Sequence, residues 1–194
     1  MNSTEKEQVT KIFNDVFESL HAESDRGCVL VVGSLVENAI EGQISARLIL
    51  PTGKTDELMS RSNNSPISTF SAKIDLAYRL GIFPANERKI YHQLRELRNT
   101  CAHQVNQQDF DKAHFKDRIK NIIEESNVLW DIMRRKIAPI LFPNDPPSSV
   151  SELVEAIGWR KSFEWFFSLV VAHKVASIER VTRIYPLYAP RGEE

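Results

Sequence analysis

The segment "RGCVLVVGSLVENAIEGQISARLIL", residues 26–50, most constrains the fold. It is long and helical in pattern, and it is apolar on more than one face, so a single amphipathic stripe does not describe it. Such a helix has to be covered on several sides by other elements of the chain. Gly33 and Gly42 lie inside it, each costing about 1 kcal/mol relative to alanine, which implies close helix contact at those two points. Asp25 stands where an N-cap belongs.

The rest of the chain supplies the covering helices. "STEKEQVTKIFNDVFESLHAE" places Val9, Ile12, Phe13, Val16, Phe17 and Leu20 on one stripe. "SPISTFSAKIDLAYRLG" opens with Ser65 as cap and Pro66 at the first helical position, and Gly81 stops it. Pro84 then opens "PANERKIYHQLRELRNTCAH", where Ile90, Leu94, Leu97 and Cys101 recur at helical intervals. A turn near 104–108 leads into a further helical stretch that Pro139 interrupts. "PNDPPSS", residues 143–149, reads as a linker.

No strand-like alternation of useful length occurs. The expected fold is all-α: one domain with a core bundle over 1–142, a linker over 143–149, a long C-terminal helix over 150–182 and an extended tail over 183–194. Trp159, Phe163, Phe166 and Phe167 give the last helix more aromatic surface than one bundle stripe needs, so a two-fold dimer through that helix is expected.

Composition narrows the function. Cys28 and Cys101 are too few for a disulfide framework, lack metal-ligand spacing, and read as small core hydrophobes. The polar N-terminus lacks a signal-peptide pattern, and the most apolar late run, "FEWFFSLVVAHK", is cut by Glu164, so a cytoplasmic protein with no membrane span is expected. There is no GxxxxGK, GxGxxG, HExxH, CxxC or GxSxG pattern, so no cofactor and no metal is expected. Net charge is −1, but residues 1–60 hold 5 basic against 10 acidic residues, while residues 61–136 hold 14 against 9. Any phosphate-binding surface therefore belongs to the middle third, and tight duplex DNA binding is not expected.

The candidate site lies in that third. In "LRELRNTCAHQ", Asn99 and His103 are four apart and share a helix face with Arg95, whereas Arg98 sits about 140° round from His103. A guanidinium that holds a phosphate beside a histidine is a minimal kit for cleaving RNA through its own 2′-hydroxyl. The competing reading is a helix end whose basic residues meet the negative end of the dipole. Glu37 and Asn38 read as a bundle-edge pair, the alternative being that they face this motif.

"RGCVLVVGSLVENAIEGQI" followed by "PISTFSAKIDLAYRLGIFPANERKIYHQLRELRNTCAH" resembles the mannitol operon repressor family, with "FSAKIDLAYRLG" the specific part. The resemblance covers roughly residues 26–104. It implies an all-helical transcriptional regulator without a DNA-reading motif; together with the near-neutral charge and the aromatic last helix, a homodimer acting through a protein partner is expected. The end of the stretch also resembles the HEPN superfamily of helical bundles. That likeness implies a metal-independent endoribonuclease with a site composite across a dimer: Arg98 on the scissile phosphate, His103 at the 2′-hydroxyl proton, Asn99 orienting either, and RNA as partner. Val105 stands where a subset of HEPN toxins has tyrosine.

Overall fold

The computed structural model describes residues 3–54, 56–60, 65–103 and 110–187, with the side chains of 3, 4, 136, 137, 140 and 141 excepted. The chain is all-helical, and no strand occurs among the described residues. Helix α1 spans Ser3–His21, α2 Asp25–Arg47, α3 Phe70–Arg79, α4 Ala85–His103 and α5 Ala113–Glu125. After them come α6 Asn127–Ile132, a π-helical turn Met133–Ile137, α7 Ala138–Leu141, α8 Val150–Ala176 and a 3-10 turn Ile178–Arg180.

Helices α2 and α8 form the centre. Helix α2 packs against α1, α3, α4 and α8, while α8 packs against α1, α2, α5 and α6. The expectation for residues 26–50 holds: Cys28, Val29, Val32, Val36, Ile40 and Ile44 are all fully buried. Opposite them, Phe163, Phe166 and Phe167 are also fully buried, with Phe163 and Phe167 centroids 4.5 Å apart and Phe110 edge-on to Phe163 at 5.1 Å. Each such side chain contributes about 1.5–3 kcal/mol.

That placement corrects one expectation. Phe163 and Phe166 are consumed by the chain's own core, and Trp159 is half-buried. The aromatic surface of α8 therefore gives no ground for a dimer through that helix. The long late helix is also shorter than expected, ending at Ala176, and it bends at Gly158, whose φ of 80° and ψ of 163° no L-residue adopts cheaply. The extended tail begins at Val181 and is described to Leu187; its remainder, 188–194, and the turn expected at 104–108 lie outside the described residues.

Two caps move by a few residues. Ser24, not Asp25, caps α2 by accepting from Gly27 N, because Asp25 is engaged by Arg160 and by the Phe110 amide. Thr69, not Ser65, caps α3 by accepting from Ala72 N. Ser65 and Pro66 instead belong to a turn held by Ile67 N donating to Leu58 O at 3.0 Å. Gly81 stops α3 as expected, with φ 69° and Ile82 N donating back to Ala77 O. Pro139 lacks an amide hydrogen, and the π turn just before it widens the helix where its ring would meet the preceding carbonyl.

Helix α2 is the one described helix long and apolar enough to cross a membrane, where the late run was expected to come nearest. In this fold its apolar surface forms the bundle core, and Glu37 and Glu41 on its length carry ion pairs.

Gly158→Ala is expected to lower stability by about 1–3 kcal/mol, since only glycine occupies that backbone region at low cost. At about 2–4 °C per kcal/mol for a chain of this size, a thermal melt detects the loss.

Candidate functional site at the end of α4

Helix α4 turns Ile90, Tyr91, Leu94, Leu97 and Cys101 into the core. The residues between them divide into two faces. Arg98 points toward α2 and α3, whereas Asn99 and His103 are exposed.

Arg98 is built into the bundle. Its stem crosses Gly33, where an added Cβ would stand 2.6 Å from Arg98 Cδ, so the glycine is there for close approach. Its guanidinium lies 5.9 Å from the Phe70 ring centroid, and Nη1 donates to Glu37 Oε2 at 2.9 Å. The other Glu37 oxygen accepts from Lys73 Nζ at 2.9 Å, and the same ammonium donates to Glu41 Oε2 at 2.7 Å. Two cations and two carboxylates from α2, α3 and α4 thus form one chain of charge, with the Lys73 side chain only 4% exposed. Burial works against the Lys73 charge, but the hydrogen bonds to Glu41 and Glu37 outweigh it and hold its pKa above the usual lysine value.

Glu37 therefore meets the motif, the alternative that its position in an apolar helix left open, while Asn38 is exposed and stands apart. No hydrogen bond or ion pair among the described residues joins Arg98, Asn99 and His103 to one another. The motif is split, with one residue in the framework and two at the surface.

The helix-end reading also changes. The last carbonyls of α4 are capped by Arg26, whose Nε donates to Cys101 O at 2.7 Å and whose Nη2 donates to Ala102 O at 3.2 Å. Its signal in the sequence was a basic residue in the first turn of α2, where the helix dipole disfavours positive charge.

Further polar residues went unread. On the outer face of α4, Asp75 Oδ1 accepts from Arg88 Nε at 2.7 Å and pairs with His92 Nε2 at 3.1 Å. Slight burial raises the Asp75 pKa, but the bonds from Arg88 and His92 prevail and leave it below the usual carboxylate value. Arg95, on the stripe with Asn99, keeps its Nε buried without a hydrogen bond among the described residues. Deeper in, Arg160 binds Asp25 Oδ1 at 2.7 Å, Glu164, and the carbonyls of Leu20 and Glu23. Cys28 and Cys101 are core residues as expected; burial pushes their thiols up to about 12 and about 11, so neither is a ready nucleophile. No group of three or more metal-ligating side chains occurs among the described residues.

Compared with known proteins, the chain matches no family model, no curated protein and no solved structure.

A double-mutant cycle on Arg98→Ala and Glu37→Gln is expected to give a coupling of about 0.5–3 kcal/mol in urea melts. The raised Lys73 pKa means its share of the network is complete below the usual lysine value and is lost only as pH climbs past the raised one. The coupling is therefore expected to be the same at pH 6 and pH 9.

Proposed function

We propose that this protein is a cytoplasmic, homodimeric regulator of the mannitol-repressor type that works by contacting a protein partner and does not itself read duplex DNA. The observation that carries this reading is the Arg98–Glu37 ion pair. The residue that an RNA-cleaving site needs for the phosphate is instead holding α2 to α4. A phosphate arriving at Nη1 would have to displace a charge-assisted hydrogen bond of about 1.5–3 kcal/mol, which is roughly 10- to 150-fold in affinity. The all-helical bundle is the architecture that the "FSAKIDLAYRLG" resemblance implies. Helix α4, which follows the short turn after α3, is packed by α2, α3 and α5, and this supports a framework role over that of a recognition helix.

A second reading keeps one specific support. His103 and Asn99 are exposed one turn apart, and Arg98 keeps 30% of its side chain accessible. Those features suit a metal-independent endoribonuclease in which Arg98, Asn99 and His103 work with a second copy of the motif. The two copies would supply the charge compensation that one arginine and one histidine lack.

One experiment separates the two. Wild type and His103→Ala are incubated with mixed RNA in the presence of chelator, and their binding to operator duplex is measured across a salt series. The regulator reading predicts no cleavage by either protein and weak, unselective duplex binding. Cleavage by wild type that His103→Ala loses, with helicity intact by circular dichroism, would replace it with the ribonuclease. Tight operator binding at physiological salt with a steep salt slope would overturn the protein-contact version.

A further inference from the structure

Gln43, near the end of α2, carries a buried polar atom that the fold leaves without a partner. Its side chain is 2% exposed, and Nε2 donates to Ser177 Oγ at 2.6 Å and to Lys174 O at 3.3 Å. Ser177 Oγ gives its own proton to Lys174 O at 2.8 Å, so toward Gln43 it can only accept, which fixes the orientation of the amide. Oε1 is therefore the acceptor end, and it has no hydrogen bond among the described residues. A buried acceptor of this kind calls for a donor.

Gln43 belongs to the lining of an open cavity of about 310 Å³. The other walls come from Arg47 on α2, the turn at Gly81 after α3, and Ser177, Arg180 and Thr182 after α8. An added Cβ at Gly81 would meet nothing within 4 Å, so that side of the cavity is unobstructed. Two arginines line the space and no carboxylate does; Glu179, although next to Arg180 in the chain, is not part of the wall. Arg47 is fixed there, since Nη1 donates to Thr182 O at 2.6 Å. Arg180 is exposed, and its guanidinium has no ion pair or hydrogen bond among the described residues.

The ends of α2, α3 and α8 meet at this cavity, and their dipoles do not neutralise the two arginines. Leu48 N closes on Ile44 O in α2, Ile82 N on Ala77 O in α3 and Ser177 N on His173 O in α8. What remains is about half a negative charge at each end, falling off within a turn, against a full positive charge on each guanidinium. The cavity is thus a site for an anion. Its volume stands at the lower end of small-ligand sites, which run from about 300 Å³ upward. A bare inorganic anion would leave most of that space to water.

We propose that this cavity binds a small organic carboxylate that also carries a hydroxyl or amino group. The carboxylate lies between Arg180 and the unused donors of Arg47, where guanidinium N–H groups match its geometry. The hydroxyl or amino hydrogen supplies the donor that Gln43 Oε1 lacks. The site uses none of Arg98, Asn99 and His103, so it stands under either functional reading.

Isothermal titration of the full chain at fixed ionic strength tests it with three pairs of acids: L-malate against succinate, citrate against tricarballylate, and L-glutamate against glutarate. The members of each pair differ by one hydroxyl or amino group. At least one acid with the extra group is expected to bind with a Kd below about 1 mM. Its counterpart is expected to bind on the order of tenfold or more weakly, because the Gln43 acceptor is then left unmet. Arg180→Gln, at an exposed position and with helicity checked by circular dichroism, is expected to weaken the bound acid on the order of tenfold or more. Arg180→Lys is expected to recover part of that loss. Absence of binding by all six acids would overturn the proposal. So would equal affinity within every pair, binding indifferent to Arg180→Gln, or inorganic phosphate binding as tightly as the best acid.

Discussion

The ion pair between Arg98 and Glu37 is the interaction on which the arrangement of α2, α3 and α4 depends. Glu37 sits on the most apolar helix of the chain, where an unpaired carboxylate would cost several kcal/mol. It is tolerated because Arg98 reaches it from α4 and Lys73 from α3. Removing any one of the three leaves buried charge on the others, so the network sets the register of three helices as much as it adds stability. Gly33 belongs to the same device, since a side chain there would push Arg98 away from its partner.

A second cationic hub works on the other side of the core. Arg160 of α8 joins Asp25 of α2, Glu164 of its own helix, and the carbonyls of Leu20 and Glu23 at the α1–α2 turn. Helix α2 is thus tied by arginines at two points, by Arg160 at its start and by Arg98 at its middle. Arg26 adds a third tie by closing the end of α4. Several charged residues, among them Arg26, Glu37, Lys73, Arg98 and Arg160, are joints of the bundle.

The architecture was legible because the 3.6-residue period is strong. The buried residues of α1 and α4 fall where the stripes place them, Gly81 marks the end of α3, and the segment 143–149 precedes α8. Cap positions were less legible, since Ser24 against Asp25 and Thr69 against Ser65 differ by one or a few residues and are decided by tertiary partners. The role of Phe163 and Phe166 was misread because periodicity does not say whether an all-round apolar helix is covered by its own chain or by another. At the candidate site the residue types were visible, but the pairing of Arg98 with Glu37 joins positions 61 residues apart. No local pattern encodes that contact. The hint was a glutamate placed in an apolar helix, four residues after Gly33.

If Arg98 is a joint and not a ligand for phosphate, its loss is felt by helices it does not belong to. Amide hydrogen exchange of the Glu37→Gln variant tests this most directly, read helix by helix against wild type. The account predicts that α3, tied to α2 through Lys73 and Glu37, loses protection by tenfold or more, corresponding to about 1.4 kcal/mol or more of local stability, while α8 keeps its own. Unchanged protection of both α3 and α4 in that variant would contradict it, since Lys73 and Arg98 would then hold their helices without Glu37.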